Sequence, residues 1–340
     1  MNGSLTQNNI SYRLYEEEDY HKYVNLYKRV FNKEISLNYF QWKFNNVHNP
    51  AVIFCAFNSE NEMVGSRVVL LTDLCRDEQM IKGAQSVDSM VDGTYRGMGI
   101  YKKLNQMAIE HLKEMGVKKI MTFPNQNSFP PLNKLGWEEI YSISNRMKIL
   151  NYKHLFPSIP VLKQLLTVKD NMYRNNRLPP NMTISEVRQF DNRIVDFIET
   201  SLKTRIHQRR SKEFLEWKYS EKPESEYEKL VVEVDHAITG FFIIRKNKHG
   251  QRIVATILEC VMTEEVNQKK IMRVLLAYLR SKNFDIVKIW SYEKTEVNFS
   301  FLSLGFLKRK TAIKFAVNQL NDDQNEFGDW YISAGDADTA

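Results

Sequence analysis

Residues 85–109 read QSVDSMVDGTYRGMGIYKKLNQMAI, and the fold turns on this stretch. It divides into a strand, a tight loop and a helix. The strand is expected over Lys82 to Val91 and the loop over Asp92 to Gly99. Ile100, Leu104, Met107, Ala108 and Leu112 then recur at helical spacing. Met115-Gly116 stops the helix with glycine in the C-terminal position. The loop Tyr95-Arg96-Gly97-Met98-Gly99-Ile100 opens that helix. Two glycines let a phosphate approach the backbone closely, and the free amides and positive dipole end of the helix face it. This is an anion cradle, for which pyrophosphate is the usual guest; the plain alternative is a tight strand-to-helix turn. Two nucleotide-binding patterns do not fit. A Walker loop ends in Gly-Lys-Ser/Thr, whereas Gly99 is followed by Ile100-Tyr101. A dinucleotide fingerprint needs a third glycine where Lys102 stands.

The segment as a whole resembles motif A of the GNAT superfamily, the acyl-CoA-dependent N-acyltransferases. In that family a strand leads into Arg/Gln-x-x-Gly-x-Gly/Ala at a helix start. Here the run is Arg96-Gly97-Met98-Gly99-Ile100-Tyr101, with Tyr101 in place of the last small residue. A second match lies downstream. Asn125-Gln-Asn-Ser128-Phe-Pro-Pro-Leu132-Asn-Lys-Leu-Gly136-Trp137 follows the family's Asn-x-x-Ala/Ser and its later Gly-Phe. The likeness covers residues 10 to 150. It implies acyl-CoA as the acyl donor, held by Ser89, Met90, Val91, Arg96, Gly97, Met98, Gly99, Ile100, Tyr101, Asn125 and Ser128.

The chain has 340 residues, enough for two domains, and 43% apolar and 12% aromatic residues allow a packed core. MNGSLTQNNI is no signal peptide, and no apolar run reaches membrane-spanning length. Cys55, Cys75 and Cys260 are scattered and fit neither a disulfide framework nor a zinc site. A cytoplasmic protein with no metal and no membrane partner is expected. Net charge is +7, but the stretch from Asn318 to Ala340 holds six acids and no Lys or Arg, which leaves +13 elsewhere. A basic body suits CoA and sugar nucleotides. No zinc finger or RNA-recognition signature points to nucleic acid, and surface lysines for solubility account for most of the charge.

The order of elements repeats. Strands or helices are expected over Ile10–Leu14, Asp19–Phe31, Leu37–Asn45, Ala51–Phe57, Met63–Leu74, Lys118–Phe123 and Ile140–Leu150. After a connector over Leu155–Pro180, whose short apolar stripe packs against the domains or lies on a membrane, a similar series runs from Thr183 to Trp290. Trp42-Lys-Phe and Leu135-Gly136-Trp137 recur as Trp217-Lys-Tyr and Leu304-Gly305-Phe306, spaced 94 and 88 residues apart. This marks a diverged duplication. The expected fold is α/β, a tandem GNAT-like fold of two mixed-sheet halves with flanking helices. Residues 1–150 form the acyl-CoA-binding domain, 151–181 the connector, 182–320 a degenerate second domain and 321–340 an acidic tail. The counterpart of the glycine loop is Glu264-Glu265-Val-Asn-Gln-Lys-Lys270, without glycine and with two acids that repel phosphate. One CoA per chain is therefore expected, and the second half shapes the acceptor site or buries surface. Trp42 and Trp217 read as structural.

The resemblance also implies a mechanism. A backbone amide near Ser89 would polarise the thioester carbonyl, contributing about 3 kcal/mol. The family's base and acid positions fall on Gln85 and Leu132, neither of which can act. Asp88 and Ser86 are the nearby polar candidates. Deprotonating a lysine amine at pH 7 costs about 4.6 kcal/mol, an amine of pKa ~7.8 only about 1 kcal/mol, and positioning supplies roughly 7–11 kcal/mol. A weakly catalytic site therefore suits an amino sugar. The tandem layout and the ending Asp329-Trp330-Tyr-Ile-Ser-Ala-Gly-Asp336-Ala-Asp338 are similar to two-domain sugar N-acyltransferases, which acylate nucleotide-linked amino deoxysugars, as in the anthrose pathway. That likeness implies Arg205, His207, Arg209 and Arg210 at a nucleotide diphosphate and Trp290 or Tyr292 stacked on a base; their plain alternatives are solvated charges and core aromatics. The other functions in view are an aminoglycoside or other small-amine acetyltransferase and a non-catalytic acyl-CoA-binding protein.

Overall fold

The computed structural model describes residues 10–151, 181–296, 301–320 and 328–337. The first half runs β1 (Ser11–Leu14), α1 (Tyr20–Phe31), α2 (Leu37–Phe44), β2 (Ala51–Phe57), β3 (Met63–Arg76), β4 (Gln79–Val91), α3 (Ile100–Glu114), β5 (Lys119–Thr122), α4 (Phe129–Asn133) and β6 (Glu138–Ile149). The second runs β7 (Met182–Glu186), α5 (Asn192–Leu202), β8 (His207–Gln208), α6 (Lys212–Tyr219), β9 (Tyr227–Val234), β10 (Ala237–His249), β11 (Arg252–Met262), α7 (Gln268–Ser281), β12 (Ile286–Ser291) and β13 (Leu307–Gln319). The expected connector over Leu155–Pro180 lies outside the described residues.

Strand alternation sorts the first core into two layers. Val69 faces α3, where it meets Ile100, Leu104 and Ala108. Val68 and Leu70 face α1 and α2, against Tyr23, Leu26, Phe40 and Phe44. The second half has the same two layers, around α7 and around α5 with α6.

The two expected halves share one mixed sheet. Its order is β1-β2-β3-β4-β5-β13-β6-β12-β11-β10-β9-β7, with β8 paired to β3. Read from either edge, each half builds inward to a parallel pair, β4 with β5 and β11 with β12. Each then accepts the last strand of the other half. β13 lies against β5, and β6 lies against β12. The duplicated units are therefore interlocked at the centre.

The recurring tryptophans mark the pseudo-two-fold axis. The Trp42 and Trp217 rings stack at 5.2 Å and 22°. Trp42 Nε1 donates to Trp217 O, and Trp217 Nε1 donates to Trp42 O, each at 2.8 Å. Trp42→Phe keeps an aromatic face but removes one of these bonds and strands a carbonyl. It is expected to lower stability by about 1–2 kcal/mol in urea unfolding, with acyl-CoA affinity unchanged.

Past Leu304-Gly305-Phe306 the chain runs at once into β13, within the expected second domain. The described part of the expected acidic tail is packed into the fold. Trp330, Tyr331, Ile332, Ser333, Ala334 and Asp336 are buried, and the backbone of residues 329–331 bonds to Ile206. Its apolar residues outweigh its acids, which find buried partners.

Candidate functional site

The cradle forms as its glycines dictate. Gly97 and Gly99 have φ of 83° and 77°, a region L side chains avoid. An added Cβ would meet nothing within 4 Å at either, so the backbone conformation and not packing requires glycine there. Gly65 lets α3 press onto β3, since a Cβ on it would lie 2.7 Å from Ile100 Cγ2. Gly99 is the N-cap of α3 and supplies no side-chain cap. The first-turn amides of this helix thus remain for an anion. In the second half, by contrast, Asn267 caps α7 by accepting from the Lys270 amide. The two helices differ as the missing glycines suggest.

β4 and β5 part before the cradle. The last parallel partners of β4 and β5 are Gln85 and Met121, and β4 continues to Val91 without β5 beside it. Thr122 Oγ1 donates to Ser86 O at 3.1 Å and pins the apex. Within this free stretch β4 is bulged. Ser66 pairs with Met90 but Val68 pairs with Val87, so Asp88 and Ser89 both oppose Arg67. Asp88 has φ 37°. Such a bulge takes backbone groups out of the ladder, at the place assigned to thioester polarisation near Ser89.

The surrounding side chains are mostly engaged. Lys43 Nζ donates to Asp88 Oδ2 at 2.7 Å, both side chains buried. Protonating Asp88 would strand a buried ammonium, so the pair positions the bulge better than it receives a proton. Asp88→Asn is expected to lower kcat by no more than about tenfold and to keep the pH–rate profile. A loss nearer 10³ with a vanished acidic limb would make Asp88 the base. Gln85 Nε2 donates to Asp336 O at 2.6 Å, and Leu132 is core. Asn125 Oδ1 accepts from the Ser128 amide at 3.0 Å, while Ser128 Oγ accepts from the Asn125 amide at 3.0 Å. These two residues fold the turn before α4. Arg96 and Met98 are exposed, Ile100 is buried and Tyr101 is half-buried. Lys43 belongs to the recurring Trp42-Lys-Phe motif, but that repeat reads as structural, and Arg67 has no motif around it.

The second-half candidates separate into two groups. Arg205 and Trp290 line one cavity of about 80 Å³, together with Cys260, Gln268, Thr295 and Tyr331. Arg205 pairs with Glu264 at 3.5 Å, and that carboxylate is 73% exposed. Trp290 also packs on Phe123, just beyond β5, at 5.6 Å, which brings the cavity next to the end of β5. Tyr292, His207 and Arg210 do not reach an open surface, whereas Arg209 is exposed. Tyr292 is buried with its hydroxyl bonded to the Ile332 amide. His207 lies 3.0 Å from Cys75 Sγ. Burial, with Arg210 nearby, pushes His207 down to about 4, and burial pushes Cys75 up to about 12. A neutral imidazole on a neutral thiol is no activated nucleophile. Arg210 is wholly buried among carboxylates, and Arg209 pairs with Glu199. Burial thus keeps Tyr292, His207 and Arg210 away from a diphosphate or base contact, and Arg209 is left at the surface beside Glu199. Among the described residues no cluster of His, Cys, Asp or Glu could hold a metal, and no helix is long and apolar enough to cross a membrane.

Residues 11–140 match the family profile described as "Acetyltransferase (GNAT) domain". Over those residues the first half is similar to a GNAT domain. The chemistry of a GNAT domain is acyl-CoA-dependent N-acyl transfer. A comparison with curated proteins found no match. Among solved structures, a GCN5-related N-acetyltransferase from Anabaena variabilis aligns with 92% of this chain and 73% of its own, at 11% identity and a TM-score of 0.67. A Saccharomyces cerevisiae N-myristoyltransferase with bound myristoyl-CoA aligns with 91% of this chain and 82% of its own, at 11% identity and a TM-score of 0.57. At such identity the shared property is the fold. Both alignments extend well beyond the GNAT domain, into the second half.

Proposed function

We propose that the chain moves an acyl group from acyl-CoA to the amino group of a nucleotide-linked (dTDP or UDP) amino deoxysugar. The observation that carries the donor half is the glycine-set, uncapped start of α3 beside a bulged strand that has parted from β5. Pyrophosphate fits the helix start, and the thioester fits the bulge. The amine nitrogen bonds to the thioester carbon, the C–S bond breaks, and the sulfur departs with the electron pair. The proton lost from nitrogen ends on solvent or on the released thiolate. With Asp88 paired and Gln85 and Leu132 unable to titrate, the amine must arrive largely neutral. This favours an amine of low basicity.

The acceptor half rests on the second-half cavity. Trp290 offers a face for a base or sugar, and Arg205 a charge for a diphosphate. Glu264 at the same mouth favours a second reading, a cationic small amine such as an aminoglycoside. Thiol release from acyl-CoAs, measured with dTDP- and UDP-amino sugars and with aminoglycosides, separates the two. Release dependent on one nucleotide sugar supports the first reading. Turnover of an aminoglycoside alone supports the second, and acyl-CoA binding without turnover on any amine overturns both.

A further inference from the structure

Arg67 stands out among the buried charges. Asp19 has Arg13 and Lys22, Lys43 has Asp88, and Arg210 has Glu259 and Asp336. Arg67 is 2% exposed and, among the described residues, has no carboxylate as a partner. Its Nη1 donates to Ser89 Oγ at 3.0 Å, its guanidinium lies 5.8 Å from the Trp137 ring, and the Tyr101 phenol is its other polar neighbour. Its Nε is buried without a hydrogen bond, and so is Trp137 Nε1 beside it. Burial pushes the guanidinium below its ordinary value. A buried cation with no counter-charge, next to a second orphaned donor, is a costly arrangement.

Its position says what could repay that cost. Ser89 is on the bulge and Tyr101 is in the first turn of α3, so Arg67 sits between the thioester position and the cradle. The pantetheine arm is neutral, and the pyrophosphate already has the helix amides. An anion reaching Ser89 would therefore belong to the acyl group. We infer that Arg67, with Trp137 beside it, holds a carboxylate on the acyl group, so that the donor is a dicarboxylic acyl-CoA such as succinyl- or malonyl-CoA. The planar guanidinium, with Nε still to be satisfied, matches a carboxylate better than a lone carbonyl. This inference rests on the acyltransferase reading above.

Calorimetric binding to the whole chain tests it without an acceptor, using succinyl-CoA, butyryl-CoA and free CoA. The wild type is expected to bind succinyl-CoA about 10- to 100-fold more tightly than butyryl-CoA, as for one charge-assisted contact. Arg67→Met should erase that preference and leave the affinity for free CoA unchanged, while Arg67→Lys should keep part of it. Equal binding of the two acyl-CoAs by the wild type would overturn the inference, even if Arg67→Met fails to fold. Equal weakening of all three ligands in Arg67→Met would also overturn it, because Arg67 would then only shape the channel. Failure of the wild type to bind any CoA form would instead sink the underlying acyltransferase reading.

Discussion

Gly99→Glu is expected to weaken acyl-CoA binding by at least about 100-fold in a chain that still folds. At φ 77° a side chain costs roughly 1–2 kcal/mol of backbone strain. No clash adds to it, since an added Cβ meets nothing within 4 Å. The new carboxylate also gains from the helix dipole and the amides that Gly99 leaves uncapped. The fold should therefore lose only a few degrees of melting temperature. The ligand loses far more. The amides that would meet pyrophosphate are occupied, and a fixed negative charge stands where two phosphates must come. Gly97→Glu, at φ 83°, should behave alike. The control is in the other half. Asn267→Ala removes the α7 cap and should cost about 1 kcal/mol of stability with no change in acyl-CoA affinity. Calorimetric titration reads both. Unchanged affinity in the Gly99 variant would place the cofactor elsewhere.

That contrast was legible before any coordinates, because a φ above zero leaves its mark in residue type. So were most elements. The expected strand over Ala51–Phe57 is observed with those bounds, and the Trp42 and Trp217 repeat proved to lie on the pseudo-symmetry axis. What the sequence hid has physical causes. β13 opens with Leu307-Lys-Arg-Lys, whose charges mask strand alternation. Its Phe315, Ala316 and Val317 are all buried because the strand is central with both faces covered. The exchange of β6 and β13 is a choice of partner, and local periodicity carries no information about partners. The burial of the stretch from Gly328 is not visible in its run of acids, because the partners of Asp329 and Asp336, Tyr141 and Arg210, are far away in sequence. In the site, the glycine loop follows from local rules. The Lys43–Asp88 pair and the lone Arg67 arise from contacts between distant strands and helices, which no spacing encodes.

Arg210→Met is expected to cause the largest loss of stability, about 3–5 kcal/mol. Arg210 is fully buried at the junction of three segments. Its Nε donates to Glu259 on β11 at 3.1 Å, and its Nη2 donates to both Asp336 oxygens at 2.9 and 3.0 Å. Its Nη1 reaches Gln208 O on β8 at 2.8 Å. Removing this cation leaves two buried carboxylates without a counter-charge, and a burial penalty of that kind exceeds what the lost contacts were worth. Tyr219 still donates to Glu259 at 2.7 Å and the Ser333 amide to Asp336 Oδ2 at 2.7 Å, but these neutral donors do not replace the counter-charge. Adding Glu259→Gln to the variant removes one stranded charge and should recover a substantial part of the loss. This separates charge imbalance from simple loss of packing. The midpoint of urea unfolding reads both effects. There is a functional consequence as well. Asp336 anchors the buried stretch that Gln85 also holds from β4, and the same stretch contributes Tyr331 to Ala334 to the second-half cavity. Loosening it should raise KM for the amine acceptor while leaving acyl-CoA affinity nearly intact, because the cradle at Gly97 and Gly99 lies on a different element. A loss below 1 kcal/mol would show that water or a rearranged chain can replace the guanidinium. Equal damage to acyl-CoA binding would mean that the two halves communicate through Gln85.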